Sequence, residues 1–101
     1  MSVYVILDID VHDKEKYLEY QKRVPAIIEK YDGRYLVRGG NVIPLGEWIP
    51  ERIVLLEFPS LEKLEEFISC PEYQPVKAIR DESANSRIIA VEGCENDFPS
   101  I

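Results

Sequence analysis

Four stretches of the chain alternate apolar and polar residues with the two-residue period of a β-strand. This alternation predicts strands over Val3–Val11, Arg34–Arg38, Arg52–Phe58 and Arg87–Glu92. Between them, apolar residues recur every three or four positions after Asp13 and again after Ser60, which predicts helices. The resulting order is β-α-β-β-α-β. We therefore expect an α+β, ferredoxin-like fold, with a four-stranded antiparallel sheet and the helices on one face.

Residues that cap or interrupt helices predict where the helices begin, bend and end. Asp13 offers an N-cap for the first helix, and Pro25 removes one N–H inside it, so we expect a kink or a restart there. Gly33 is expected to close this helix in the left-handed conformation. Ser69–Glu72 has the form of a capping box with proline in the first turn. It predicts a further short helix over residues 73–80.

The two faces of the predicted sheet differ in polarity. The face expected beneath the helices carries no charge and consists of Val3, Val5, Leu7, Ile9, Tyr35, Val37, Val54, Leu56, Phe58, Ile89 and Val91. The opposite face mixes apolar with charged side chains: Tyr4, Ile6, Leu36, Ile53, Leu55, Ile88 and Ala90 with Asp8, Asp10, Arg38, Glu57 and Glu92. A solvated face should be nearly all polar, so we expect a second copy to cover this one as a homodimer. The alternative is a monomer shielded by long charged side chains.

Length and composition indicate one domain and exclude several partners. The 101 residues suit a single domain, with a core over about residues 3–93 and an acidic tail over 94–101. The net charge of −7 argues against nucleic acid and against anionic membranes. With no leader or membrane span apparent, we expect a cytoplasmic protein with reduced Cys70 and Cys94. One histidine and two cysteines fit no metal spacing, so neither a metal nor another cofactor is expected.

Charges on the half-apolar sheet face are the first candidates for chemistry, because a partly buried charge needs a partner. We expect Arg38 to pair with Glu57 or Asp8. One interpretation is a structural salt bridge alone. The other is a polar cavity between the sheet and its partner copy, in which Arg38 offers a planar fork to a carboxylate or another anion.

Further candidates come from neighbouring segments. Arg52, Tyr73 and Arg80 are expected to border that cavity, and Tyr73 and Arg80 are seven residues apart on one helical face. Trp48 is either a lid over the cavity or an interface anchor, and His12 is either a general base or a solvated bystander. The glycine pair at positions 39 and 40 is either a plain turn or a set of backbone donors for an anion.

Three ordered motifs resemble the family called domain of unknown function 1330. They are Tyr31–Gly40, Glu51–Ser60 and Ser69–Gln74, and the resemblance covers about residues 3–93. It implies the dimeric α/β-barrel superfamily, which includes cofactor-independent monooxygenases, muconolactone-isomerase-like enzymes and proteins of no known activity. The matching positions make Arg38, Arg52, Tyr73 and Arg80 the carried-over substrate-binding candidates. The family often has Glu-Gly before the tryptophan of the central loop. Here the order is Gly46-Glu47, so the acidic candidate Glu47 is displaced by one position.

Three functions remain open at this stage. The first is a cofactor-independent small-molecule enzyme, monooxygenase- or isomerase-like, with an anionic or oxygenated substrate near the dimer interface. The second is a non-catalytic ligand-binding dimer, and the third is a structural dimer. An enzyme should have a carboxylate or histidine of shifted pKa beside the arginine, whereas a binder needs only the pocket. Full pairing of Arg38 with Glu57 and no cavity would favour the third.

Overall fold

A computed structural model describes residues 1–94 of the chain. Its elements, in chain order, are β1 (Val3–Val11), α1 (Lys14–Lys30), β2 (Arg34–Arg38), β3 (Ile53–Phe58), α2 (Leu61–Ser69), α3 (Tyr73–Ser83) and β4 (Ala84–Glu92). The strands form one sheet in the order β2-β3-β1-β4, and every neighbouring pair is antiparallel. The predicted ferredoxin-like fold is confirmed. Beyond residue 94, the predicted acidic tail lies outside the described residues.

The core lies between the helices and one face of the sheet. Alternate residues of β1 are buried from Val3 to Ile9, and Phe58 of β3 has no exposed surface. The helices contribute apolar side chains such as Val24, Phe67 and Val76 to the same cluster. At roughly 25 cal/mol per Å² of buried apolar surface, this layer supplies most of the stabilisation. No helix within residues 1–94 is long and apolar enough to cross a membrane.

Helix α1 runs without interruption through Pro25, so the predicted restart there is wrong, and the alternative of a kink stays a prediction. Val24, Ile27 and Ile28 are buried on both sides of the proline, and their packing holds the helix together. Pro25 has no N–H for the carbonyl oxygen of Gln21, four residues earlier. That oxygen instead accepts a hydrogen bond of 2.8 Å from the Arg38 guanidinium. The long side chain from β2 therefore supplies the donor that the proline removes.

The end of α1 also differs from the prediction. Asp32, rather than Gly33, adopts the left-handed conformation, with φ of 64°. Aspartate tolerates this region better than most residues because its short side chain can hydrogen-bond locally. Glycine is needed at position 33 for a different reason. A Cβ there would lie 2.6 Å from the buried ring of Phe58 and 2.8 Å from Ile28.

Opposite stability changes are expected at these two adjacent positions. Gly33→Ala should lower the free energy of unfolding by about 1–3 kcal/mol, because the new methyl group overpacks the core. Asp32→Gly should be neutral or raise it by up to about 1 kcal/mol, because glycine adopts the left-handed conformation without strain. Urea denaturation of the two variants beside the wild type measures both changes. Equal destabilisation by the two would contradict this account of the turn.

The capping box predicted over Ser69–Glu72 does not form. The Ser69 hydroxyl donates back to the Glu65 carbonyl oxygen at 2.8 Å, within α2, and Glu72 makes no side-chain cap for α3. The Gln74 amide instead bonds to the carbonyl oxygens of Ile68 and Cys70 at the end of α2. A serine at a helix C-terminus readily bonds to a carbonyl one turn back, and that local partner wins here.

Strand β4 is three residues longer than predicted and has the opposite facing. Its register pairs Leu7 with Ile88 and Ile6 with Ile89, so Ile88 faces the helices and Ile89 faces away. The prediction that Ile89 and Val91 lie beneath the helices is therefore wrong. Two adjacent isoleucines satisfy either phase of the alternation, and the pairing with β1 decides between them.

A β-bulge at Leu36 changes the facing of β2 in the same way. Tyr35 pairs with Leu56, but Val37 pairs with Leu55 and Arg38 with Val54, so one extra residue lies between them. Tyr35 and Arg38 consequently both face the helices, and Val37 faces the open side. The predictions that placed Val37 beneath the helices and Arg38 on the open face are wrong.

Candidate functional site

A buried arginine lies between the helices and the sheet. Arg80 of α3 is 3% exposed, and its guanidinium lies beside the phenol groups of Tyr73, on the same helix, and Tyr20 of α1. Seven residues separate Tyr73 from Arg80, which places them on one face of α3 as the spacing predicted. The structure brings these two predicted residues together on the helix side of the sheet, not on the side predicted to face a partner.

Hydrogen bonds leave part of this cation without an acceptor. One terminal nitrogen of Arg80 donates to the Tyr73 hydroxyl oxygen at 2.8 Å and to that of Tyr20 at 3.5 Å. The other lies 3.6 Å from the carboxylate of Asp81, which is itself largely exposed. The buried Nε atom of Arg80 has no hydrogen-bond partner among residues 1–94. Burying a charge with so few compensating partners lowers the stability of the folded protein. Folding by itself therefore gives no reason for the arginine.

These three side chains form part of the wall of a cavity of about 230 Å³. The rest of the lining is apolar except for Lys77: Val5, Leu7, Ile28, Leu56, Phe58, Leu64, Phe67, Ile68 and Ile88. The exposed side chains of Ile68 and Ile88 mark its outer end. An apolar cavity with a few convergent polar groups is the usual form of a small-molecule site.

The polar end of the cavity is rich in hydrogen-bond donors. Both phenol oxygens accept from Arg80, which leaves their own protons free to be donated. Burial raises the pKa of Tyr20 well above its ordinary value, so this phenol keeps its proton at neutral pH. Burial lowers the pKa of Arg80, but the neighbouring tyrosine oxygens outweigh it and the net shift is upward. Among residues 1–94, neither the two phenol protons nor the Nε proton of Arg80 has an acceptor.

The raised pKa of Tyr20 predicts a loss of stability in alkali. Above pH of about 10, tyrosines in the unfolded chain lose their protons while folded Tyr20 keeps its own. The folded state then binds more protons than the unfolded one, so the free energy of unfolding falls as pH rises. Below that pH, Tyr20 adds no pH dependence. Denaturation at about pH 9 and about pH 11 should show a smaller loss for Tyr20→Phe than for wild type. An identical loss would contradict the assignment.

Arg38 and Arg52 also lie on the helix side of the sheet. They line a smaller cavity of about 20 Å³, which shares Leu7, Tyr20, Ile28 and Leu56 with the cavity beneath Arg80. The two adjoining cavities together form a seam between the helices and the sheet. Along this seam lie four of the predicted residues: Arg38, Arg52, Tyr73 and Arg80. The Gly39 N–H bonds to the Ile53 carbonyl oxygen on β3 and is therefore not free to donate to an anion.

The acidic candidates lie elsewhere. Asp8 pairs with Arg87 at 2.6 Å, and Glu57 pairs with Arg34 at 2.6 Å, both on the open face. Hydrogen bonding from Arg34 lowers the pKa of Glu57. The prediction that Arg38 pairs with Asp8 or Glu57 is therefore wrong, and the bulge in β2 is the reason. Glu47 is exposed on the loop between β2 and β3, outside the lining of both cavities.

A larger depression of about 410 Å³ lies on the open face. Ile6, Asp8, Trp48, Arg87 and Ile89 form its walls. Among the described residues of its lining, the charges are those of Asp8 and Arg87, which pair with each other. Several of its walls are exposed apolar side chains, with Trp48 at 58% and Ile89 at 61%. The depression is therefore more typical of a protein–protein interface than of a binding site for a charged ligand.

Tyr20 is the site residue that the sequence reasoning missed. Its position was available from the pattern, because it lies three residues after Tyr17 and four before Val24, on the apolar side of α1. A tyrosine in such a position needs a partner for its hydroxyl, and this is the signal that could have found it. His12 is exposed at the start of α1. Within residues 1–94, no group of three or more metal-ligating side chains could hold an ion.

Solved structures share this fold at low sequence identity. A protein of unknown function from Rhodopseudomonas palustris has 17% identity and a TM-score of 0.76, covering 94% of this chain and 84% of its own. A dimeric ferredoxin-like protein of unknown function from Jannaschia sp. CCS1 has 10% identity and a TM-score of 0.74, covering 92% and 100%. SnoaB, a cofactor-independent oxygenase from Streptomyces nogalater, has 11% identity and a TM-score of 0.66, covering 94% and 95%.

No curated protein was found to match the chain. The model of one protein family does match it, over residues 2–94, and that family is described as a domain of unknown function, DUF1330. The match spans all seven elements of the fold as well as the candidate cavity. The chain belongs to the DUF1330 family.

Proposed function

We propose that the chain binds a small, largely apolar organic anion in the cavity beneath Arg80. The observation that carries this proposal is the guanidinium itself, which is buried, faces an apolar cavity and has no buried carboxylate beside it among residues 1–94. A ligand oxyanion would accept from the hydroxyls of Tyr20 and Tyr73 and lie beside the charge of the Arg80 guanidinium. The ligand would thereby compensate the charge of Arg80, which has few compensating partners in the folded chain.

The cavity limits the ligand in size and polarity. A cavity of about 150 Å³ holds a benzene molecule, so about 230 Å³ suits one aromatic ring with a carboxylate or a phenolate. The lining beyond the donor cluster offers almost no hydrogen-bonding groups, so the remainder of the ligand should be hydrocarbon. Benzoate and similar acids are the matching class.

Homodimer formation is part of the proposal. The open face and its loop expose large apolar side chains, including Val37, Trp48, Ile89 and Val91. Such a surface is typical of an interface, and the similarity to a protein that is itself dimeric supports the same assembly here. The cavity lies on the other side of the sheet. Each protomer would therefore hold its own ligand, away from the interface.

Catalysis is the second candidate, and the chemistry of the lining restricts it. Among the described residues, the ionisable groups of the lining are Tyr20, Tyr73, Lys77 and Arg80. Lys77 is paired with Asp81 at 2.7 Å, and no carboxylate or histidine is present to act as a general base. This disfavours isomerisation by proton transfer.

Cofactor-independent oxygenation remains compatible with the site. An electron-rich phenolate or enolate held by the two phenol hydroxyls beside Arg80 can itself transfer electrons to O₂. One oxygen atom then enters the substrate at a carbon that loses two hydrogens, and the other leaves with those hydrogens as water, so neither metal nor flavin is required. The likeness to the oxygenase SnoaB favours this second candidate over isomerisation, although it extends only to the fold. Oxygen uptake above the spontaneous rate with a polyhydroxylated phenol tests it, and the Arg80 variant described below serves as its control.

A pair of ligands equal in shape tests the binding proposal. Benzoate and benzamide differ in charge but hardly in volume, and the donor cluster should prefer the anion. We expect benzoate to raise the melting temperature in a concentration-dependent way and benzamide to have a much smaller effect. Tyr73→Phe should weaken benzoate binding about threefold to tenfold, because one neutral donor is lost. Equal shifts with the two ligands, or no shift with either, would contradict the proposal.

A further inference from the structure

A second pair of cations lies at the other end of the helix–sheet seam. Arg38 pairs with Val54 across the sheet, and Arg52 precedes Val54 by two residues. The two arginines are therefore diagonal neighbours on one face, and their side chains line the same small cavity. Like charges at this spacing repel each other, so their juxtaposition requires an explanation.

The Arg38 guanidinium is fixed without any carboxylate. It donates to the Gln21 carbonyl oxygen at 2.8 Å, the oxygen that Pro25 leaves without a helical donor. It also stacks over the ring of Tyr35, with 4.6 Å from the central carbon to the ring centroid. These contacts use one of its donors and leave the others available, and the side chain is exposed to solvent.

The Arg52 guanidinium is fixed against backbone. It occupies the space that a side chain at Gly39 would take, since a Cβ there would lie 2.1 Å from one of its nitrogens. Its central carbon lies 5.7 Å from the ring centroid of Tyr17. The buried Nε of Arg52 has no hydrogen-bond partner among the described residues.

Neither arginine has an acidic partner within the described part of the chain. All ion pairs there, taken to 4.0 Å, involve other cations, although acidic residues outnumber Lys and Arg by 19 to 12. Both arginines are thus held against aromatic rings without an ion pair, in a protein that is acidic overall. Their positive charge is therefore available to an external anion. The planar guanidinium of arginine can donate two parallel hydrogen bonds to the oxygens of a carboxylate or a phosphate.

We propose that Arg38 and Arg52 form a second, separate site that binds a small hydrophilic oxyanion, a carboxylate or a phosphate group. The cavity behind them, about 20 Å³, has room for about one water molecule, so the anion binds on the solvent side of the two guanidiniums. This distinguishes the site from the apolar cavity beneath Arg80. The proposal does not depend on the function proposed above.

Calorimetric titration of the full chain with inorganic phosphate, and separately with succinate, tests the site. We expect binding that weakens at least tenfold in Arg38→Gln and in Arg52→Gln. Arg23→Gln is the matched control, because it removes the same charge from an exposed position of α1 and should leave affinity within about twofold. A preference between phosphate and succinate identifies which oxyanion the site takes. No binding of either anion, or equal loss in all three variants, overturns the proposal.

A variant that keeps every charge separates position from net charge. Gly39→Ala places a methyl group where the Arg52 guanidinium lies, at a residue with φ of 73°. The guanidinium must move, so oxyanion affinity should fall as it does in Arg52→Gln. A circular-dichroism spectrum and a cooperative thermal transition like those of the wild type show that the variant is folded. If Gly39→Ala is unstable, Arg52→Lys replaces it, because lysine keeps the charge but lacks the fork. Unchanged oxyanion affinity in the variant used overturns the proposed geometry.

Discussion

Replacing Arg80 with methionine is expected to weaken benzoate binding in the apolar cavity strongly while leaving the protein folded. Charge-assisted hydrogen bonds contribute about 1.5–3 kcal/mol each, so loss of the guanidinium should weaken affinity by at least about tenfold to a hundredfold. Methionine has a similar length and fills the same apolar surroundings. Because a buried, poorly compensated charge is replaced by a hydrophobic side chain, the free energy of unfolding should stay constant or rise.

The combination of these two effects distinguishes a ligand site from a structural arginine. If Arg80 served only to hold Tyr20 and Tyr73 in place, Arg80→Met would reduce stability and ligand affinity together. Isothermal titration with benzoate and urea denaturation give the two quantities on the same preparation. Arg23→Met, on the exposed surface of α1, is the control for a lost positive charge. Unchanged benzoate affinity in Arg80→Met would remove the basis of the proposed function.

Ile89→Asp is expected to convert the proposed dimer into a folded monomer. Ile89 lies on the open face and is 61% exposed in the single chain, so the substitution should change the stability of the protomer little. In a face-to-face dimer, the same change would bury two unpaired carboxylates against apolar side chains, at a cost of several kcal/mol. Dissociation should therefore be nearly complete at micromolar protein.

Sedimentation velocity measures this result directly, because the protomer mass is 11.7 kDa and the dimer has twice that mass. Leu18→Asp is the matched control. Leu18 is a large apolar residue of α1 that is 48% exposed, and it lies on a helix rather than on the open face. It should leave the dimer intact. A monomeric wild type, or equal dissociation in the two variants, would contradict the proposed interface.

The fold was accessible from the sequence because its strands alternate and its helices carry capped apolar stripes. Strand β1 and the start of α1 have the predicted bounds, and both are marked by clear alternation or by the Asp13 cap. Which residues of β4 face the helices could not be predicted from the sequence. Ile88 and Ile89 read equally well on either face, and only the pairing with β1 distinguishes them.

The candidate site was only partly accessible for a related reason. The helical spacing of Tyr73 and Arg80 joined them correctly, since that relation is local. Their assignment to the open face failed because it was tied to Arg38, and the facing of Arg38 depends on a bulge. An apolar run through Tyr35, Leu36 and Val37 carries no mark of an inserted residue.

The bulge at Leu36 determines how positive charge is divided between the inside and the outside of the assembly. With it, Arg38 contributes to the cationic end of the seam and Val37 to the apolar open face. Regular alternation of the same residues from Tyr35 to Arg38, with none bulged out, would exchange the two. The proposed interface would then acquire a cation from each copy, and the second site would lose one of its arginines. Relatives that keep the length of β2 but pair it with β3 in regular alternation should consequently differ in both assembly and anion binding.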